Sequence, residues 1–197
     1  MSRFPIHTLD SAPDQSKARL TGLAKAVGML PNLAAGMAES PALLDGFLSV
    51  REIYQKSTLS GAEIQAVSLT AAHEHESAWC MAFHSLMAAG EGVSEADIQL
   101  LRTGRTPVDA RLGPLTDFAR AMLQRRGAVS EPQLRAFLDA AYTPRHALDV
   151  VLGLAFSLMA NYAAYLVQPP LDAPLQQHAW HLDAAIPAEP EPTPAVT

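Results

Sequence analysis

Residues 60–84 read Ser60-Gly-Ala-Glu63-Ile-Gln65-Ala-Val-Ser-Leu-Thr-Ala-Ala-His73-Glu74-His75-Glu76-Ser77-Ala-Trp-Cys80-Met-Ala-Phe-His84. The stretch opens on a capping box. The Ser60 hydroxyl can accept a free amide at a helix start while Glu63 reaches back to the Ser60 N–H. Ala66, Val67, Thr70 and Ala71 then recur at helical spacing, so a helix is predicted as far as His73 or His75. A second helix, or a continuation of the first, covers 77–89. Cys80 and His84 stand four apart, which on a helix stacks thiol and imidazole on one face, about one turn apart. Ser77, three before the cysteine, joins that stripe.

Outward from this stretch the pattern stays helical. Residues 1–12 contain Pro5 and no clear period, and read as an arm lying on the surface or on a neighbouring subunit. Leu20, Leu23, Ala24 and Val27 keep the helical spacing up to Gly28, which can end a helix. A short helix follows Pro31. Ser40-Pro41 is an N-cap with proline at the first helical position, opening a helix to about Tyr54 with Leu44, Phe47 and Leu48 on one stripe. Ser94-Glu-Ala-Asp97 is another helix start, and residues 103–109 are a loop. Helices are predicted over 113–125, 131–142 and 144–168. Pro169-Pro170 stops the last one, and 171–180 packs back, anchored by Leu175 and Trp180. No alternating strand pattern occurs, so the fold class is all-α: one helical domain over 13–183, with a Pro/Glu/Ala-rich, disordered end over 184–197.

Composition narrows the function. The 197 residues carry a net charge of −6, with Lys and Arg scattered, which argues against nucleic acid as a partner. A single cysteine permits no internal disulfide, and a reducing, cytoplasmic setting follows naturally. The most apolar run, 147–167, approaches membrane-spanning length (about 20 residues) but contains Asp149, Ser157 and Asn161. It reads as a core or subunit-interface helix rather than a membrane segment. No metal or cofactor is expected: His73 and His75 stand two apart, and such positions do not face each other on a helix.

A lone cysteine is most often a small buried apolar side chain. The histidine at i+4, and the polar residues ahead of the cysteine, argue here for a reactive thiol. If a new helix begins at 77, Cys80 lies in its first turn, where free amides and the helix dipole favour a thiolate. If one helix runs through, His73, Ser77, Cys80 and His84 share a stripe. Both arrangements put a base beside the sulfur.

These residues resemble the motif of the alkylhydroperoxidase D / carboxymuconolactone decarboxylase superfamily, over roughly residues 15–180. Its redox members carry a glutamate, about a dozen residues, then Cys-x-x-Cys-x-x-x-His and a small apolar run to glycine. The counterpart here is Glu63, then Ser77-Ala-Trp-Cys80-Met-Ala-Phe-His84, then Gly92. Serine replaces the first cysteine, so internal disulfide cycling is lost. Gln65 sits nearer the expected glutamate position than Glu63, and Glu74 or Glu76 could substitute spatially. The resemblance implies an all-helical bundle whose subunits associate through helices into dimers, trimers or hexamers.

It also implies a one-cysteine hydroperoxide reductase. Cys80 would attack the peroxide, His84 would be base or proton relay, and Ser77 a hydrogen-bond partner. Glu63 or Glu76 would orient the histidine, with His73 nearby, and an external thiol would complete the cycle. Two other functions stand beside it. One is a decarboxylase-like lyase acting on a small organic acid through His/Glu proton transfer. The other is a helical oligomer that has lost its chemistry.

Overall fold

The computed structural model describes residues 2–181; the expected disordered end at 184–197 lies outside them. Among the described residues there are nine α-helices and no strand: α1 (Asp14–Val27), α2 (Asn32–Met37), α3 (Pro41–Tyr54), α4 (Gly61–Glu74), α5 (Ala78–Gly90), α6 (Glu95–Arg102), α7 (Leu112–Gln124), α8 (Glu131–Asp139) and α9 (Pro144–Val167). A 3-10 turn over Ala173–His178 follows.

α4 is the central element. The Ser60/Glu63 capping box starts it, with both reciprocal hydrogen bonds present. Nearly every position from Ala66 to Ala72 is buried, polar Ser68 and Thr70 included. A helix buried all round must have neighbours on every side, and α4 packs against α5, α6, α7 and α9. Small side chains allow the close approach. Thr70 returns its hydroxyl to the Ala66 carbonyl at 2.9 Å, so it carries no unpaired donor into the core.

α3 and α9 build the wall behind the central segment. The Ser40 side chain caps α3 by accepting from Leu43 N–H, and Leu44, Phe47, Leu48 and Tyr54 face inward as their spacing predicts. Phe47 stacks on Phe156 of α9 with ring centroids 4.8 Å apart. Tyr54 lies against Gly153 so closely that a Cβ there would overlap the phenol hydroxyl. α9 is long and apolar enough to cross a membrane. Here it buries Val150, Gly153, Leu154, Phe156, Ala160 and Val167 against α2, α3 and α4. Its outer face leaves Leu148, Val151, Leu158, Tyr162, Tyr165 and Leu166 exposed.

One helix end differs from the spacing-based expectation. α8 stops at Asp139, three residues early, because Ala141 adopts a left-handed φ of 64°. The turn swings Tyr142 inward to donate to Glu63 Oε1 at 2.7 Å, and Tyr142 stacks on Phe137 at 4.5 Å. The N-terminal arm lies along its own chain: Arg3 N–H donates to the Val167 carbonyl and His7 N–H to that of Ala35. At the other end, Trp180 is buried and donates to the Arg102 carbonyl at 2.8 Å. Asp172 accepts from Trp79 Nε1 at 3.1 Å and Asn32 N–H at 3.0 Å, which ties the end of the domain to the start of α5.

Candidate active site

The chain breaks between α4 and α5 by a Schellman motif. Glu76 takes a left-handed φ of 52°; its N–H donates to the His73 carbonyl (2.9 Å), and Ser77 N–H donates to that of Ala72 (2.8 Å). A non-glycine residue in that conformation costs about 1 kcal/mol, and the Tyr165 hydroxyl supports the turn by donating to the Glu76 carbonyl at 3.1 Å. Ser77 is therefore the N-cap of α5, and Cys80 lies in its first turn. The continuous stripe that would include His73 does not form.

Cys80 and His84 line one inner cavity of about 40 Å³, together with Phe47, Trp79, Phe83 and Phe156. A second, larger cavity of about 160 Å³ adjoins it, sharing Val27, Arg51, Phe83, His84 and Phe156 and adding Gln65, Met87 and Glu91. The thiol and imidazole thus face a common small, largely apolar space that Arg51 also lines.

The electrostatics run against the expectation of an acidic thiol. Cys80 is 1% exposed, and burial pushes its thiol up to about 12. The Ser77 hydroxyl pulls the other way, but it is buried and makes no standard hydrogen bond. A helix N-terminus is worth about 0.3–1 kcal/mol at ordinary sites, less than one pKa unit, so burial wins.

His84 is 7% exposed; burial first, then the positive charge of Arg51, push it down to about 4. Its Nδ1 lies 2.8 Å from Gln65 Oε1. With the amide oxygen accepting, Nδ1 carries the proton and Nε2 keeps its lone pair. Moving a proton from thiol to imidazole spans the gap between about 12 and about 4. That is on the order of 10 kcal/mol at 1.36 kcal/mol per unit. Even at a contact separation of about 4 Å, attraction between the resulting charges would return only about 4 kcal/mol at an effective dielectric constant of 20. The resting pair is neutral thiol and neutral imidazole.

The remaining expected site residues are placed elsewhere. Glu63 does not line the Cys80 cavity. It is 6% exposed and accepts from Ser60 N–H, Tyr142 and Arg111 Nη2 (2.9 Å), with the guanidinium 4.1 Å over the Tyr142 ring. Burial works to raise its carboxyl, but these donors together hold it below the usual range. Glu63 is the anchor of α4, not the orienting group of His84. Glu76 shapes the turn, and His73 packs edge-on to Trp180 and over Gly104. His75 turns toward Tyr162. Gln65 orients His84 instead, two residues past Glu63 and so on a different face of α4. Arg51 carried no signal in the sequence, because its place beside His84 arises only when α3 is packed into the bundle against α1, α2 and α9.

Comparison with known proteins comes to the same frame. Residues 41–111, from the start of α3 to the residue before α7, match the carboxymuconolactone decarboxylase family. Among curated proteins, none matches by sequence. Among solved structures, the chain is similar to the alkylhydroperoxidase AhpD core of an uncharacterised peroxidase-related protein from Ralstonia eutropha JMP134. The TM-score is 0.79 at 17% identity, over 88% of this chain and 94% of that one. An uncharacterised peroxidase-related protein from Silicibacter sp. TM1040 gives a TM-score of 0.72 at 19% identity, over 88% and 92%. The debrominase Bmp8, solved as a cysteine-to-alanine variant with 2,3,4-tribromopyrrole, gives 0.73 at 15% identity, over 88% and 93%. Identities this low carry the architecture alone: the chain has the all-helical AhpD-like fold, and within it residues 41–111 match the carboxymuconolactone decarboxylase family.

Proposed function

We propose that the protein is a peroxidase-related enzyme in which Cys80 reduces a small, mainly apolar electrophile, an organic hydroperoxide first of all. The observation that carries this reading is the cavity that Cys80 shares with a neutral His84 whose Nδ1 is held by Gln65. Because the thiol rests protonated, its ionisation is coupled to the reaction. The sulfur lone pair attacks the distal peroxide oxygen as the O–O bond breaks. His84 Nε2 takes the thiol proton and delivers it to the departing alkoxide. The products are an alcohol and the Cys80 sulfenic acid. One external thiol then displaces water to give a mixed disulfide, and a second releases Cys80 and leaves as the disulfide. With serine at 77, both thiols come from outside, and a reducing cytoplasmic setting supplies them. A halogenated ring, of the kind held by the debrominase Bmp8, is a further electrophile to offer the same thiol.

A second reading is lyase-like acid–base chemistry at His84 on a small organic acid, with the thiol a bystander. The protonated state of Cys80 favours it. One experiment separates the two. tert-Butyl hydroperoxide consumption is followed with dithiothreitol as reductant, and the sulfenic acid is trapped with dimedone. Cys80→Ser should abolish both signals, and His84→Ala should slow turnover by about 10²-fold or more, the usual contribution of a positioned base. Turnover that survives Cys80→Ser and depends on His84 would overturn the thiol mechanism in favour of the second reading. The exposed apolar face of α9 supports self-association as a homo-oligomer.

A further inference from the structure

Four arginines are half-buried among the described residues: Arg19, Arg51, Arg102 and Arg120. Three of them are engaged. Arg19 pairs with Asp45 and Glu52 and donates to Ser49. Arg102 donates to Ser85 and to the carbonyls of His178 and Ala179. Arg120 pairs with Asp117 and Glu74. Arg51 alone has no ion pair and no hydrogen-bond acceptor among the described residues, and it is the one that lines both cavities of the candidate site. The nearby carboxylates are committed elsewhere. Glu52, whose charge acts on it, is held by Arg19 at 2.9 Å. Glu91 lines the larger cavity, but its carboxylate fills the space where a Gly61 Cβ would lie, at the start of α4.

Half-burying a cation without a counter-ion is costly, and burial accordingly depresses the Arg51 guanidinium. A planar guanidinium also matches a carboxylate in a two-bond fork. Beside the polar Gln55, Gln65, His84 and Glu91, the larger cavity has an apolar wall of Val27, Ile64, Phe83, Met87 and Phe156. That cavity, about 160 Å³, is of the size that accommodates benzene, about 150 Å³. We infer that this site takes a small organic anion, with its carboxylate on Arg51 and its apolar body against Phe83 and Phe156, so that its far end faces Cys80 and His84. The substrate class is then a one-ring or short-chain acid carrying the electrophilic group, rather than a neutral hydroperoxide.

The inference rests on the cavity being the reaction site, so its test reads binding and not turnover. Benzoate and its neutral isostere benzamide are titrated calorimetrically into the full chain. Benzoate is expected to bind at least about tenfold more tightly, the scale of one charge-assisted pair. Arg51→Gln should erase that preference, Arg51→Lys should keep part of it, and Cys80→Ala should leave it in place. Circular dichroism establishes that each variant is folded. If Arg51→Gln does not fold, the Arg51→Lys titration decides, since a point charge without the fork should weaken benzoate and spare benzamide. Benzoate binding no tighter than benzamide in the unsubstituted protein, including none at all, overturns the inference. So does a benzoate preference unchanged by every folded Arg51 variant. A preserved benzoate preference in a protein without peroxide chemistry would count against the thiol mechanism alone.

Discussion

Gln65→Glu is the most informative single change, because it converts the neutral partner of His84 into a charged one without altering its size. An imidazolium and a carboxylate about 4 Å apart attract by about 4 kcal/mol at an effective dielectric constant of 20, or about three pKa units. Two effects reduce this. Gln65 is half-buried, so the new charge loses some hydration, and Glu91 lines the same cavity as a like-charged neighbour. A net rise of about one to two units is expected, lifting His84 from about 4 toward the ordinary imidazole range. The shift is read from the pH dependence of the His84 ring signals in NMR, with His84→Asn to assign them. A stronger base should also speed alkylation of Cys80 by iodoacetamide at neutral pH. If the His84 titration does not move upward in the folded variant, the 2.8 Å contact between Gln65 and the ring does not govern the site, and the relay argued above fails.

Acid should weaken the fold through His84. Its folded value, about 4, lies below the unfolded value near 6.5, so the unfolded chain binds the extra proton first. Stability is thus lost as pH falls from about 6.5 to about 4, by up to about 3 kcal/mol. Urea midpoints measured across that window should be flatter in His84→Gln. Alkali acts through Cys80 in the opposite sense: the unfolded thiol ionises near 9 while the folded one holds its proton to about 12. Stability should fall as pH rises above 9, and Cys80→Ala should remove that dependence. Glu63→Gln should cost about 1–3 kcal/mol of stability by weakening the charged hydrogen bonds from Ser60, Tyr142 and Arg111. It should change turnover little once the protein is folded, whereas a large loss of turnover at unchanged stability would return Glu63 to the chemistry. Leu158→Asp with Tyr162→Asp, on the exposed face of α9, should leave the helix content intact and lower the mass found by light scattering.

Most of the fold was legible because its punctuation is local. Ser40-Pro41, the Ser60/Glu63 box and Thr143-Pro144 each place a helix start to the residue. The misjudged helix end is that of α8, where the non-glycine Ala141 takes a left-handed φ; the break between α4 and α5, which the spacing left open, uses the same conformation at Glu76. Neither side chain announces that conformation; tertiary partners, Tyr165 for one and the inward Tyr142 for the other, hold it. The candidate site divides the same way. Cys80 and His84 share a helix, so their spacing predicts their common cavity. Their protonation depends on how much of the bundle closes over them, which no spacing reveals. Glu63 looked like a catalytic carboxylate because it is the glutamate nearest the expected motif position, whereas it caps α4 and the orienting group two positions on is the amide of Gln65. Arg51 and Gln65 come from separate helices and meet only in the folded chain.

The contact between Tyr54 and Gly153 has a reach beyond its own neighbourhood. Arg51 lies on the same helix as Tyr54, one turn earlier, and Gly153 is one turn before Phe156 on α9. A single methyl group at 153 would wedge the phenol outward, tilt the last turn of α3 and shift the guanidinium that lines both cavities. The shape of that hollow therefore depends on a hydrogen atom standing where any other residue would carry carbon.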